Sequence, residues 1–198
     1  MCLMAVVKIN KTHAEQVARL HLQGIKAGFI SSLGLEFLTE LYEGIVASTY
    51  AFGFVVEQNA EVLGFAVFAT NVKNLYNSVL LRKGLRLAFI LLRRMFCFSR
   101  IKRAFETLLY PNRMQKMSLP RAELLAVAVA AEAQGRNLGT NLVQKGLAEC
   151  RRRGIKKVKV MVGAENKPAN KLYVKCGFKL LRQITNHGRI SNIYVVVL

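Results

Sequence analysis

The chain has 198 residues, 53% of them hydrophobic, which suits one domain with a sizeable core. Its 30 basic against 11 acidic residues give a formal net charge of +19, a field that attracts nucleic acid, ribosomes, anionic lipid or acidic substrates without choosing among them. No apolar run approaches the roughly 20 residues of a membrane span, and Lys8 and Lys11 interrupt the apolar amino-terminal stretch, so neither export nor a cleaved signal is expected. Cys2, Cys97, Cys150 and Cys176 lack metal-ligand or C-x-x-C spacing, and His13, His21 and His187 are scattered; free thiols in a cytoplasmic protein with no metal are the expectation.

Residues 5–10 read as a first strand. Thr12-His13-Ala14-Glu15 has the form of a capping box and predicts a helix carrying Val17, Leu20 and Ile25. Gly24, Gly28 and Gly34 punctuate the next stretch, and residues 35–46 make a second helix. Residues 51–57 and 61–69 form a hairpin about the turn Gln58-Asn59-Ala60.

Residues 72–120 are strongly basic, with Glu106 as the lone acid. On a helix of about 3.6 residues per turn, Arg82, Lys83, Arg86, Arg93 and Arg94 share an arc of roughly 120°, and Leu81, Leu85, Ala88 and Leu92 lie towards the other side. Such a helix can lie on an anionic membrane or shield an active site; equally, it can pack on a sheet and leave its basic face in water.

Residues 124–131 are a run of small and branched apolar side chains, the mark of a strand buried on both faces. A helical pattern follows in Leu142, Val143, Leu147 and Ala148, with Arg151, Arg152 and Arg153 in its last turn and Gly154 just past it. Between strand and helix lies Gln134-Gly135-Arg136-Asn137-Leu138-Gly139-Thr140. A glycine-bearing loop there gathers unpaired N–H groups under the positive end of a helix dipole, an arrangement that binds phosphate. A P-loop would need Lys and then Ser or Thr after the second glycine, where Thr140-Asn141 stands, and a dinucleotide fingerprint would need a third glycine. Residues 155–162 alternate, with Val158, Val160 and Val162 on one face and Lys157, Lys159 and Met161 on the other. Residues 180–184 and 193–198 supply two closing strands across a turn at Asn186-His187-Gly188.

The loop resembles the acyl-CoA pyrophosphate loop of the GNAT superfamily of N-acyltransferases, Gln or Arg, x, x, Gly, x, Gly or Ala. Gln134 and Gly139 match, and Asn137 replaces the first glycine; Asn is the non-glycine residue that best tolerates a left-handed backbone. Downstream, Asn166 to Phe178 matches the second signature of that family, N-x-x-A-x-x-L-Y-x-x-x-G-F, at every fixed position. The resemblance is specific from about Glu123 to Phe178. It implies an α/β (α+β) fold, with a mixed, mostly antiparallel, twisted sheet flanked by helices and the basic segment as a helical insertion in one domain.

The resemblance also implies roles. Acetyl-CoA would be the co-substrate, a primary amine the acceptor, and no metal would take part. Val127 and Val129 would pair with pantetheine through the main chain, with an N–H near Val129 polarising the thioester carbonyl. Gln134, Gly135, Arg136, Asn137, Leu138, Gly139 and Thr140 would hold the pyrophosphate, and Asn166 and Asn170 the cofactor arm. Tyr173 would protonate the departing sulfur; the plainer reading of the residue is a core tyrosine beside Leu172 and Phe178. Asn166 could equally cap a loop. Glu123 stands where some lysine acetyltransferases of the family carry a catalytic glutamate, although a strand start often carries a solvated Glu; Glu36, Glu40 and Glu43 are weaker candidates. An aminosugar or another small or carrier-linked amine is the favoured acceptor and a protein amine the next. An anionic membrane or another polyanion is a candidate partner of the insertion, a homodimer a candidate assembly, and the cytoplasm, with peripheral attachment to the inner membrane surface, the expected location. A CoA-binding module without catalysis, using its basic surface on RNA, ribosome or membrane, is the alternative.

Overall fold

The computed structural model describes residues 4–25, 29–94, 119–186 and 189–198. Seven strands form one sheet: β1 (Ala5–Lys8), β2 (Ala51–Gln58), β3 (Glu61–Ala69), β4 (Ala122–Val129), β5 (Lys157–Gly163), β6 (Lys179–Asn186) and β7 (Arg189–Val197). Their spatial order is β1-β2-β3-β4-β5-β7-β6, and every neighbouring pair is antiparallel except β4 with β5. Among the described residues, five helices flank the sheet: α1 (Ala14–Gly24), α2 (Gly34–Val46), α3 (Val72–Arg94), α4 (Leu138–Arg152) and α5 (Lys167–Lys175). The expected mixed sheet and helical insertion are both present; of that insertion, residues 95–118 lie outside the described residues, as does the turn centre at His187 and Gly188.

The hairpin turn forms where the sequence predicts it, with Asn59 and Ala60 both at positive φ, as a two-residue connection between twisted strands requires. The first helix starts differently. Thr12 N–H donates to Asn10 Oδ1, and Asn10 N–H donates to His13 Nδ1, so the box is Asn10 to His13 rather than Thr12 to Glu15. Asn is the stronger cap, and Glu15 pairs instead with Arg19 one turn on.

Two helical layers sandwich the sheet. α4 lies on one face, where a Cβ added at Gly146 would sit 2.0 Å from the Phe68 ring; only glycine admits that approach. α1 and α2 cover the other face over Phe65, and α3 packs on α2. Lys83 reaches from α3 to Glu40 and Glu43 of α2 at 2.7 and 2.6 Å, and Arg86 reaches Glu40 at 3.1 Å. Lys83 therefore belongs to a half-buried seam, not to the solvated basic face that helical spacing assigns it.

A buried relay ties α1 to the segment leading into α2. Ser31 Oγ donates to the Ile25 carbonyl, so it accepts from His21 Nε2 (3.2 Å), which leaves His21 Nδ1 to accept from Tyr42 Oη (2.6 Å). Burial pushes the His21 imidazole down to about 4. The unfolded chain, with His near 6.5, binds the extra proton first, so this site's stability is intact above pH 6.5 and drains as pH falls towards 4. Urea unfolding of wild type and His21→Gln should show the wild-type advantage shrinking by about 2 kcal/mol between pH 7 and 5; a pH-independent difference would contradict the neutral, relayed imidazole.

Candidate active site

β4 and β5 stay together for two residue pairs, Ala122 with Val158 and Glu123 with Lys159, and then part. Opposite, the β3–β4 register slips so that Val67 faces Ala126 while Phe68 faces Leu124, leaving Leu125 as the extra residue of a bulge. The bulge turns β4 with β3 and away from β5, which continues along β7. Downstream of Glu123, one edge of β4 therefore has no strand neighbour among the described residues.

Alternation fixes which groups face that gap. Ala130 N–H donates to the Leu63 carbonyl at 2.8 Å, so the main-chain groups of Ala128 and Ala130 face β3, and those of Val127 and Val129 face the opening. The Val129 carbonyl accepts from Gln134 Nε2 at 3.3 Å, which ties the strand to the loop after it. Ala126 and Ala128 face α1, whose last residue, Gly24, lies so close that an added Cβ would sit 2.9 Å from the Ala128 Cβ. The end of α1 thus forms one wall beside the unpaired edge.

The loop has the conformation expected of it. Gly135 has φ +77, and Asn137 occupies the left-handed region at φ 64 as the residue preceding α4. Six consecutive main-chain N–H groups, from Gly135 to Thr140, donate to no acceptor among the described residues, and they sit at the positive end of a 15-residue helix. Lys175 Nζ donates to Asn137 Oδ1 at 2.8 Å, which brings a cation from α5 to the loop, and Arg136 is exposed beside it. Donors, dipole and cation together fit a diphosphate such as that of coenzyme A. Lys175 occupies one of the unspecified positions of L-Y-x-x-x-G-F, so the motif offers no reason to select it.

α5 meets the same point. A Cβ at Gly139 would touch Leu172 at 3.6 Å and Val129 at 3.7 Å, so loop, strand end and α5 converge there. Next to Leu172, Tyr173 is buried against Phe178 (centroids 5.9 Å apart) and Tyr194 (6.3 Å). Its hydroxyl bonds no described residue, and burial holds the phenol above its ordinary value, keeping it a proton donor. The side chain is a packed ring whose hydroxyl bonds no described residue.

The asparagines separate. Asn166 caps α5, accepting from Ala169 N–H at 3.2 Å, and is itself exposed. Asn170 spends its whole carboxamide inside the fold: Nδ2 donates to the Gly163 and Asn166 carbonyls, and Oδ1 accepts from Asn192 Nδ2 (2.7 Å) and Tyr194 Oη (2.8 Å). These bonds tie α5 to β5 and β7.

Glu123 stands at the vertex where the strands part. Its carboxylate lies 3.0 Å from Lys159 Nζ, which also donates to the Pro120 carbonyl at 2.7 Å, and both side chains are under a tenth exposed. The alternation of β5 puts Lys159 outside; pairing with Glu123 is what permits its burial. Glu40 and Glu43 clamp α3, and Glu36 is exposed on α2. A cavity of about 380 Å³ beside Ala47, Ser48 and Arg153 lies elsewhere and contains none of the residues of this site.

The sequence model of the Acetyltransferase (GNAT) family matches residues 29–178. The chain belongs to that family. It is an acetyltransferase of that family, and the matched residues take in the parted strands and the loop beyond them. Among solved structures, a mutant agmatine N-acetyltransferase in apo form superposes with a TM-score of 0.67 at 14% identity over 99% of this chain and 100% of that one. The ribosomal-protein-S18-alanine N-acetyltransferase from Escherichia coli gives 0.62 at 14% over 98% and 94%. Arabidopsis thaliana NAA60 in complex with acetyl-CoA gives 0.61 at 13% over 99% and 99%. A mycothiol acetyltransferase from Thermobifida fusca (strain YX) is 38% identical over 71 residues, 36% of this chain and 22% of that protein's length. The described residues thus share their fold with these structures, and the similarity to the mycothiol acetyltransferase spans a short segment.

Removing one partner of the vertex pair strands a buried charge. Glu123→Gln should lose about 3 kcal/mol in urea unfolding, and Glu123→Leu with Lys159→Met should recover most of it. A fully stable Glu123→Gln would show that the pair does not lock the vertex.

Proposed function

We propose that this GNAT protein transfers the acetyl group of acetyl-CoA directly to a primary amine, and the observation that carries the reading is the unpaired edge of β4 ending in six unsatisfied loop amides. Acetyl-CoA would supply the acyl group as an activated thioester. The amides of residues 135–140, with Lys175 and Arg136, hold the diphosphate. The main-chain groups of Val127 and Val129 pair with the cofactor arm as a missing strand would, and the Val129 N–H donates to the carbonyl oxygen as negative charge develops there. As the amine nitrogen bonds to the carbonyl carbon and the carbon–sulfur bond breaks, Tyr173 gives its phenolic proton to the sulfur, and the proton lost by the amine restores the phenol through solvent.

The amine must arrive neutral. Glu123, paired with Lys159, works better as the lock of the vertex than as a free base, which favours deprotonation at the solvent-facing mouth. For the acceptor we favour a small or carrier-linked anionic amine, such as an aminosugar nucleotide or a lipid-linked glycan intermediate. α3 starts beside the Glu123 end of β4, where Val72 N–H donates to the Arg121 carbonyl, and it brings basic residues to that side. A protein amine is the next choice, since one fold serves agmatine in one relative and a ribosomal-protein alanine in another. The net charge of +19 supports a second reading, a CoA-binding module acting on RNA, ribosome or membrane without catalysis; it predicts CoA binding with no thiol release across amino sugars, amino acids, polyamines and peptides.

In a thiol-release assay, Tyr173→Phe should lower kcat by about 100-fold while the Kd for CoA stays unchanged. Because burial raises the phenol's pKa, wild-type turnover should show no loss from Tyr173 ionisation below about pH 10. Unchanged turnover in Tyr173→Phe would remove Tyr173 from the chemistry.

A further inference from the structure

α3 carries two apolar stripes. Val72, Leu75, Val79, Leu87 and Ile90 are buried, and Val79 meets α2 at Gly44. On the opposite face Leu81, Leu85 and Leu92 are 88%, 93% and 74% exposed, within an arc of about 40° and over roughly 16 Å of helix, and Phe89 borders them at 59%. This is the row that helical spacing sets opposite the basic arc; in the folded chain it faces outward, not onto the sheet. Arg82 and Arg93 lie along one side of it, and neither has a carboxylate partner among the described residues; the Arg93 guanidinium sits 5.8 Å over the Phe89 ring. No acid occurs in α3.

We propose that this face of α3 docks on an anionic lipid bilayer, with Leu81, Leu85, Phe89 and Leu92 entering the acyl boundary and Arg82 and Arg93 at headgroup height. Isolated exposed leucines are ordinary, but a continuous row edged by unneutralised arginines has the pattern of a helix lying in the interface plane. No described helix is long and apolar enough to cross a membrane, so α3 lies on the bilayer rather than through it. Charge selects this occupant over two others. A second copy would bring +19 against +19 and set the arginine edges near one another. A nucleic acid would engage the arginines and leave the apolar row in water. The docking face belongs to the α2–α3 layer, while the phosphate loop lies past the far end of β4, and the inference holds whatever amine the cleft accepts.

The test uses the whole chain with vesicles of phosphatidylcholine containing about one-third phosphatidylglycerol, against pure phosphatidylcholine, at physiological salt. Binding should favour the anionic vesicles, and Leu85→Gln with Leu92→Gln should weaken it by about tenfold or more, as should Arg82→Gln with Arg93→Gln. The chain has no tryptophan, so Leu85→Trp gives a single reporter whose emission should shift to the blue and be quenched by brominated acyl chains. CoA affinity, unchanged in each variant, certifies the fold. The proposal is overturned if wild type ignores both vesicles, or if the arginine pair matters and the leucine pair does not, which would make attachment purely electrostatic. It is equally overturned if the leucine pair abolishes a dimer in solution without altering vesicle binding.

Discussion

A strand edge left without its neighbour is the constraint on which this molecule turns. Main-chain N–H and C=O groups removed from water need partners, and a sheet ordinarily supplies them. Here β5 provides two pairs and departs, the bulge at Leu125 swings β4 the other way, and the Glu123–Lys159 pair fixes the point of divergence. The divergence opens a slot whose wall offers the hydrogen-bond pattern of half a sheet. An extended molecule rich in amides, with a diphosphate at its far end, fits such a slot, because strand edge and helix N-terminus come in succession along one stretch of chain. The proposed reading puts the acyl donor here, where the main-chain groups of Val127 and Val129 face the opening.

The surrounding layers serve that slot in different ways. α4 presses on the sheet through glycine at 146 and brings the positive end of its dipole to the loop, while α5 sets the tyrosine ring into the core with its hydroxyl uncommitted. The buried cysteines add packing rather than chemistry: burial pushes Cys150 up to about 12 and Cys176 up to about 11, leaving both as inert thiols. On the opposite face the His21 relay ties the end of α1, which packs beside Ala128, to Ser31 and Tyr42.

Much of this was legible in the residues, for reasons that differ by position. The loop could be read because left-handed backbone is selective: Gly135 and Asn137 stand where the conformation demands them. The strands and helices of the second half announced themselves by period and by motif spacing. Lys159 could not be read, because alternation assigns a face but not a partner, and its ion pair joins residues 36 positions apart. The orientation of α3 was hidden for a related reason. That helix has two apolar stripes, and which one meets the body is decided by the acids of α2, namely Glu40 and Glu43, which draw Lys83 inward. Asn170 matched its motif, yet its carboxamide is consumed by Asn192 and Tyr194 on β7, a strand the motif does not include.

Six main-chain amides carry the central claim, and backbone amide NMR during a CoA titration addresses them one at a time. Gly135 to Thr140 should show the largest downfield proton shifts in the chain, with Val127 and Val129 moving as well, and the changes should saturate together. Saturable binding that leaves those resonances in place while perturbing others would contradict it, as would no binding by well-folded protein.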